Sequence, residues 1–502
     1  MPGQRLLAAV IVLALACMFA YRISNNVADV DLWHEMALAR EAFASGHIPW
    51  EDRFAYTPTR LPVVHHEWGA GMVAFCAATS IGESGIVAVK YALAFGLGGV
   101  CWLCASRRGA RLGVFGVLAA VAVLLADQGF STLRAQVYSY FFTASLLYWL
   151  DRDRRGDRSW LLFWMPVYVV WLNLHAGFLV GAGIFLLHWL EQATRREPHL
   201  HLLLAGGAMI GLIAVNPYGL HYYDYLATAA LMPRPLIDEW APLWRSGEPQ
   251  QIGLFLLSLA LLGYTVRHVG FRAMRGLPAI LVCAVFAVKS TRLLNFYAIA
   301  WLCYLPAYFE ATPLGQLLRR RYQQGAWPLA AVYAGMLVVS APPLLFAKPW
   351  LLRVPDQPIP KFGNHVIYPV GAVDFLARTG FRGKLMVPFD WGAYASWRLF
   401  PDVKVSIDSR YEVAYPPGSL ERNSVFYRAL DGWQAVLAAE QADAVLVPNA
   451  LPVSKQMPTL PGWKLVYRDG NAQIYRRVGT IAGGGFAGEG DAVGAGGVHR
   501  TL

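Results

Sequence analysis

The sequence predicts a mainly α-helical, polytopic membrane protein with about eleven transmembrane helices and a small C-terminal α/β domain outside the membrane. Of its 502 residues, 56% are hydrophobic and only 15% are charged, which is an unusual balance for a soluble protein. Apolar runs of near-spanning length recur as far as Phe346, and the composition becomes more polar after Lys348. We therefore expect a membrane domain over residues 1–347.

Clusters of arginine separate the apolar runs and indicate the loops that face the cytoplasm. The formal net charge of +11 comes largely from these short loops, and no basic patch with interleaved aromatic residues lies elsewhere, which excludes nucleic acid as a partner. Short loops rich in arginine stay on the cytoplasmic side of the membrane. The clusters lie at 107–111, 152–158, 195–196, 267–275 and 319–321.

The first apolar run, residues 6–20, is expected to be an uncleaved signal anchor, although Ala14-Leu15-Ala16 resembles a cleavage site. It leaves the N-terminus in the cytoplasm and the loop 22–68 outside. Residues 69–81 are short for a full crossing, and a crossing there would move the first arginine cluster outside, so we expect a surface-lying or half-inserted helix. The remaining predicted spans are 87–104, 112–126, 137–150, 160–172, 178–190, 200–215, 252–266, 277–288, 293–308 and 327–346.

Beyond the last span, we expect a proline-rich linker over 348–364 and an α/β domain over 365–477. The predicted helices are 373–379 and 430–440, and the predicted strands are 384–388, 403–407 and 444–448. Asp469-Gly470-Asn471 is a turn that joins 463–468 and 472–477 into a hairpin. The glycine-rich tail 478–502 is expected to be disordered.

The six cysteines lie in apolar segments, and Cys101 and Cys104 form a single CxxC pair without a second one. We expect them to pack as small hydrophobic residues rather than to bind zinc or to form disulfides.

The predicted outer loops carry more polar residues than their lengths require. The first holds the acidic motif Asp29-Val30-Asp31, followed by His34 and Glu35 three and four residues after Asp31, one helical turn away. Carboxylates with a neighbouring histidine hold a proton or a divalent cation, so these four residues are the predicted catalytic group. Residues expected to bind substrate are His66, Glu67, Arg134, His175, Asn216, Lys289 and Arg292; further polar residues of these loops are Asp127, Gln136, Asn173, Tyr218, Asp238, Glu239 and Asn295.

Several of these residues also have a purely structural interpretation. Asp29 can cap a helix that begins near Leu32, and His175 can satisfy a helix break. Asn216-Pro217-Tyr218-Gly219 is a good turn sequence. Lys289 and Arg292 can extend to outer lipid headgroups, although the positive-inside rule predicts few cations on that side.

This pattern resembles the C-type (GT-C) membrane glycosyltransferases, in the branch of protein mannosyltransferases, aminoarabinose transferases and RgtA-like enzymes. The shared features are the acidic motif Asp29-Val30-Asp31 in the first outer loop, juxtamembrane helices after it, many spans and a C-terminal outer domain. The resemblance covers about residues 1–350. Where close relatives carry a proline-rich motif before the second span, this chain has His65-His66-Glu67-Trp68-Gly69.

The resemblance implies an inverting hexosyl- or pentosyltransferase of the inner (plasma) membrane that uses a polyprenyl-phosphate sugar and a glycan, lipid or protein acceptor. Asp31, and after it Asp29, corresponds to the family's general base or its ligand for Mg²⁺ or Mn²⁺. Lys289 and Arg292 correspond by placement to the residues that bind the lipid phosphate.

Two other classes of protein fit parts of the pattern. A transporter or flippase for a lipid-linked saccharide would carry polar residues in broken helices at mid-membrane, whereas the predicted span centres are nearly free of charge. A non-catalytic polysaccharide-assembly partner would use its outer domain, where 389–394 and 408–411 form either a sugar-stacking surface or an ordinary core with its turns.

Overall fold

The computed structural model of the chain describes residues 2–232, 240–359 and 365–479. Asp238, Glu239, part of the predicted linker and nearly all of the predicted tail lie outside the described residues. The chain forms two compact units. Unit 1 combines Met1–Asn26, Val87–Asn216 and Leu231–Leu351, and unit 2 combines Val27–Ile86, Pro217–Ala230 and the described part of Leu352–Leu502.

The helices of the first part of the chain occur in both units. In chain order they are α1 (Pro2–Arg22), α2 (Val30–Ser45), α3 (Trp68–Ile81), α4 (Glu83–Arg107), α5 (Leu112–Ala126), α6 (Gln136–Arg154), α7 (Trp160–Leu174), α8 (Phe178–Thr194), α9 (Leu200–Leu212), α10 (His221–Leu231), α11 (Leu243–Ser246), α12 (Pro249–Val269), α13 (Leu277–Lys289), α14 (Leu294–Phe309), α15 (Pro313–Gln323) and α16 (Trp327–Phe346). Short strands β1 (Val27–Ala28) and β2 (Thr132–Leu133) follow α1 and precede α6.

Five helical segments of the described chain are long and apolar enough to cross a membrane, judged by length and composition: Gly3–Arg22, Glu83–Arg107, Leu112–Phe130, Pro249–Val269 and Trp327–Phe346. Five further apolar helices are shorter, including Trp68–Ile81, which the sequence predicts to lie at the surface or to be half-inserted. Their outer faces carry large exposed hydrophobic side chains, such as Leu204 and Phe346, as lipid-facing helices do. The total of about eleven spans stays a prediction.

Helix α14 forms the centre of unit 1, where it packs against α5, α6 and α13 and buries most of its side chains. Helix α1 packs against α16, and Leu7, Ile11 and Tyr333 form a buried apolar cluster between them. These contacts involve the long apolar runs from which the sequence predicts membrane helices.

Several arginines of the predicted cytoplasmic loops are paired with acidic residues inside unit 1. Arg108 Nη1 lies 2.5 Å from Asp151 Oδ1, and Arg154 Nη2 lies 2.9 Å from Glu191 Oε2. His188 Nε2 lies 2.9 Å from the buried Asp153 carboxylate. The positive-inside rule counts arginine and lysine regardless of neighbouring acids, so these pairs leave the predicted orientation unchanged.

Unit 2 contains a five-stranded mixed sheet in the order β4-β3-β5-β7-β6. The strands are β3 (Gly383–Met386), β4 (Val403–Val405), β5 (Ala444–Pro448), β6 (Trp463–Arg468) and β7 (Ala472–Arg477). β3 pairs in parallel with β4 and β5, and β7 pairs antiparallel with β5 and β6. The helices of this part are α17 (Val370–Arg378), α18 (Phe389–Leu399), α19 (Tyr411–Ala414), α20 (Ser419–Tyr427), α21 (Trp433–Glu440) and α22 (Val453–Gln456). The predicted strands and hairpin are therefore confirmed.

Helix α18 contains residues 389–394, which the sequence predicts to form either a sugar-stacking surface or part of an ordinary core. It packs against α2, with Trp391 and Tyr394 buried and the Tyr394 ring 5.2 Å from that of Trp33. Trp391 and Tyr394 are therefore core residues, and they do not form an exposed sugar-stacking surface.

The first loop is part of the same unit as the α/β sheet, although the sequence assigns the two to different domains. Tyr56 N donates to Val405 O at 3.0 Å, and Val405 N donates to Phe54 O at 2.9 Å. Residues 54–56 thus continue the sheet beyond β4, through a parallel bridge between Ala55 and Val405. Backbone pairing over such a sequence separation leaves no local pattern in either segment.

Candidate functional site

The acidic motif forms the N-terminus of α2. Asp29 is the N-cap residue, and its carboxylate accepts a hydrogen bond from Asp31 N at 3.2 Å. Asp31 lies in the first turn, where the helix dipole favours a negative charge. Asp29 therefore caps the helix, as its structural interpretation predicts. The helix begins at Val30, two residues before the predicted start at Leu32.

Glu35 lies one turn further along α2 and is buried under α3. A Cβ atom at Gly71 of α3 would come within 2.4 Å of Glu35 O, so only glycine permits this close approach. Burial raises the pKa of Glu35 well above its usual value, and a hydrogen bond to Glu67 and the negative charges of Glu67, Asp31 and Asp29 raise it further. The carboxyl group of Glu35 is therefore the more easily protonated because of its surroundings.

His66 connects Glu67 to helix α10. Its Nε2 atom lies 3.2 Å from Glu67 Oε1, and its Nδ1 atom lies 2.9 Å from the hydroxyl of Tyr225. The imidazole also stacks on the Tyr225 ring, with 5.2 Å between ring centres. Glu35, Glu67, His66 and Tyr225 thus form one continuous chain of hydrogen-bonding groups.

His34 faces a loop of the α/β part of unit 2. Its Nδ1 atom lies 3.1 Å from Ser409 Oγ. Burial lowers the pKa of His34 to about 4, and the charges of Asp408 and Glu67, which raise it, are opposed by those of Arg410 and His66. The imidazole is therefore neutral near pH 7, and its ring position is determined by the contact with Ser409.

Arg410, next to Ser409, forms a buried ion cluster with two aspartates. Its Nη2 atom donates to Asp408 Oδ2 at 2.6 Å and its Nε atom to Asp408 Oδ1 at 2.9 Å, while its Nη1 atom pairs with Asp52 of the first loop. The positive charge of Arg410 and its hydrogen bonds keep the pKa of Asp408 below its usual value despite burial. This cluster joins the first loop to the α/β part.

Two predicted binding residues of unit 1 make local structural contacts. His175 follows the last residue of α7; its Nδ1 atom lies 2.7 Å from Ser139 Oγ and accepts from Gly177 N at 2.8 Å. Asn216 Nδ2 donates to Ile213 O at 2.6 Å at the end of the α9 segment. The contact between His175 and Gly177 matches the interpretation as a helix break, and substrate binding by His175 and Asn216 stays a prediction.

The predicted cationic residues also belong to unit 1. Lys289 ends α13 and is exposed, and Arg134 is half-buried just before α6. Arg292 lies in a short 3₁₀ turn, with its guanidinium carbon 5.2 Å from the centre of the Trp240 ring. The acidic residues Asp29, Asp31, Glu35 and Glu67, together with His34 and His66, all belong to unit 2.

Over the described residues, no group of three or more His, Cys, Asp or Glu side chains is arranged to hold a metal ion. Asp29 uses one carboxylate oxygen as a helix cap, and Mg²⁺ in proteins is usually held by one or two carboxylates together with waters and substrate phosphates. The Mg²⁺ or Mn²⁺ site expected at Asp29 and Asp31 therefore stays a prediction, and the chemistry proposed below uses the protein's own side chains.

Several polar residues have partners in the structure that no sequence pattern indicates. Lys90 is buried in α4 and donates to Ile23 O at 2.7 Å and to Asn26 Oδ1 at 3.0 Å. Lys90 could have been selected from the sequence, because an ionisable residue inside an apolar run is uncommon. No such pattern marks Tyr225 or Asp52, because their partners are distant in sequence.

Comparison with solved structures finds several with a similar fold. The oligosaccharyltransferase of Archaeoglobus fulgidus in the apo form is 13% identical with a TM-score of 0.56, over 94% of this chain and 74% of that one. ArnT from Cupriavidus metallidurans bound to undecaprenyl phosphate is 15% identical with a TM-score of 0.54, over 95% of this chain and 98% of that one. The archaeal AglB in complex with an inhibitory peptide and a dolichol-phosphate is 13% identical with a TM-score of 0.55, over 88% and 69% of the two chains.

These neighbours are GT-C glycosyltransferases, and the chain has their fold, as the first-loop motif and the many apolar runs predict. A comparison with protein-family models and one with curated protein sequences find no match. At sequence identities of 13–15%, this similarity shows a shared fold and does not assign an activity.

Proposed function

We propose that the protein is an inverting membrane glycosyltransferase. It moves a hexosyl or pentosyl group from a polyprenyl-phosphate donor to a glycan, lipid or protein acceptor outside the cytoplasm. The observation that carries this proposal is the grouping of Asp31, His34, Glu35, His66 and Glu67 on α2 and at the start of α3, within a GT-C fold.

Two kinds of carboxyl group in one site support acid–base chemistry. Asp31 lies half-buried at a helix N-terminus, which favours its charged form. Glu35 is buried beside Glu67, which favours its protonated form. Asp31 is therefore the general base, and the neutral Glu35 adds no negative charge of its own to repel an anionic donor.

The reaction is a displacement at the anomeric carbon of the sugar. Asp31 takes the proton of the acceptor hydroxyl while the acceptor oxygen forms a bond to the anomeric carbon from the face opposite the phosphate. The bond between that carbon and the phosphate oxygen breaks, and polyprenyl phosphate leaves with the electron pair. Neutral His34 is proposed to orient the acceptor hydroxyl, and His66 and Glu67 to bind the substrate.

The leaving phosphate requires cationic partners. Arg134, Lys289 and Arg292 are proposed for this role, with arginine able to bind two phosphate oxygens at once. The ArnT neighbour with undecaprenyl phosphate bound is consistent with such a donor. His175 and Asn216 are proposed as further substrate contacts, and Mg²⁺ or Mn²⁺ at Asp29 and Asp31 stays a prediction from the resemblance.

The proposed location is the inner membrane, with the N-terminus in the cytoplasm and loop 22–68 and the α/β part outside it. The arginine clusters of the short loops support this orientation.

The proposal is tested with the purified full-length protein in lipid nanodiscs. The protein is incubated with labelled polyprenyl-phosphate hexoses and pentoses and a membrane extract as acceptor, and release of free polyprenyl phosphate is measured. We expect release with the parent protein and a large loss with Asp31→Asn. Absence of release with every donor, from a folded protein, would contradict the enzyme proposal.

A further inference from the structure

The loop between β4 and α19 contacts the proposed catalytic helix directly. Ser409, in the middle of this loop, is half-buried, and its hydroxyl lies 3.1 Å from His34 Nδ1. The residues on either side, Asp408 and Arg410, are buried. A hydroxyl on a buried loop therefore meets an imidazole of the site from a segment more than three hundred residues later in the chain.

The loop that carries Ser409 is held on both sides. Arg410 binds both oxygens of Asp408, and its backbone N also donates to Asp408 Oδ1 at 3.1 Å. Its Nη1 atom pairs with Asp52, which in turn accepts from Ala55 N at 2.6 Å. The hydrogen bonds of Arg410 thus go to protein groups that fix the loop.

Backbone contacts strengthen the same junction. Residues 54–56 pair with β4, and Thr57 Oγ1 donates to Ser406 O at 2.6 Å. Arg60 N donates to Ala414 O at 2.8 Å, just after the loop. The first loop and the 406–414 segment therefore form one continuous hydrogen-bonded structure, and the position of Ser409 relative to α2 is well determined.

We propose that Ser409 is a positioning residue for glycosyl transfer, and that the α/β part of the chain completes the reaction site by holding His34 in one ring orientation. With Nδ1 engaged by Ser409, Nε2 is the ring atom through which His34 bonds the acceptor hydroxyl. The Ser409 hydroxyl can donate to Nδ1 or accept from it, so the contact sets the orientation of the imidazole ring with either tautomer. The inference rests on the proposed function, because the role of His34 belongs to it.

The test compares Ser409→Ala with Ser409→Thr in the donor-release assay. Loss of one hydrogen bond that acts in the transition state should lower kcat about tenfold while the KM for the donor stays near that of the parent. Threonine keeps the hydroxyl and should restore most of kcat. Ser454→Ala is the matched control, since it removes a buried hydroxyl of the same unit that donates to Asn449 O at 3.0 Å and should leave kcat unchanged.

A double-mutant cycle then separates positioning from a general structural effect. If Ser409 acts through His34, adding Ser409→Ala to His34→Ala should lower the residual kcat no further. An active parent with an equally active Ser409→Ala variant would overturn the inference alone, as would full additivity of the two substitutions. A folded parent without transfer activity would overturn the proposed function, and this inference with it.

Discussion

Glu35 and Glu67 share a hydrogen bond between their carboxyl groups, one carried by α2 and the other immediately before α3. Glu67 also lies against His66, which contacts Tyr225 of α10. Glu67 therefore joins three segments that are separate in sequence. The raised pKa of Glu35 leads to a prediction on stability.

Replacing Glu35 by glutamine should make stability less dependent on pH. The pKa of Glu35 is raised on folding, so its favourable contribution is complete below the usual glutamate pKa and is lost as the pH rises through the raised value. Glutamine keeps a donor for Glu67 but does not ionise. Thermal unfolding should therefore show Glu35→Gln becoming more stable relative to the parent as the pH rises above the usual glutamate pKa, with little difference at pH 4.

The control for this experiment is Glu41→Gln on the same helix, where the carboxylate pairs with the exposed Arg53. It should show no gain in alkaline solution. A parallel pH dependence for the parent and Glu35→Gln would exclude a raised pKa of Glu35.

Substitution of Asp31 separates catalysis from capping. Asp31→Asn should lower the transfer rate at least about a hundredfold, because the amide cannot accept the acceptor proton. Asp29→Asn should change stability little, because asparagine caps a helix as well as aspartate. Both variants should unfold near the temperature of the parent. Full activity of Asp31→Asn would remove it as the base.

Arg410 should be important for stability. Arg410→Met leaves Asp52 and Asp408 buried without their cation, and breaking a buried ion cluster in this way costs about 3–5 kcal/mol. Arg398→Met is the matched control, since its pair with Asp374 is partly exposed and is worth about 1 kcal/mol or less. Denaturation of the two variants in parallel measures the difference, and equal stability would contradict a structural role for the cluster.

Arg292 is predicted to bind the donor phosphate. Arg292→Ala should weaken binding of a polyprenyl phosphate about tenfold or more, as expected for a lost charge-assisted contact. Arg292→Lys should recover part of the affinity, because it restores the charge without the fork of two N–H donors. Binding is measured by tryptophan fluorescence quenching, with thermal unfolding as the check on folding. Unchanged affinity in Arg292→Ala would remove it from the donor site.

Orientation in the membrane is tested by cysteine labelling in a background with the native cysteines replaced. His47→Cys and Lys464→Cys are at exposed positions of unit 2 and should both react with an impermeant reagent from outside the cell. Arg272→Cys, at an exposed position in a predicted cytoplasmic loop, should react only after the membrane is opened. Reaction of only one of the first two would be incompatible with the predicted topology.

Local patterns account for the parts of this protein that sequence alone determined. Hydropathy over each run predicted the long apolar helices, and alternation with the turn Asp469-Gly470-Asn471 predicted the hairpin of β6 and β7. The cap at Asp29 was likewise predictable, because a capping side chain and the backbone it binds are two residues apart. In these cases the interacting groups are neighbours in the chain, so the sequence contains both partners in one window.

Only the tertiary structure decided how the site is assembled. His34 meets Ser409, Asp52 meets Arg410, and His66 meets Tyr225 across long separations in sequence. These contacts depend on which faces of α2, α3 and α10 pack together and on the pairing of residues 54–56 with β4. Amphipathic periodicity indicates that one face of a helix is buried, but it does not identify the residues that pack against that face. The raised pKa of Glu35 is caused by its burial and by the acidic residues near it, which only the tertiary structure determines.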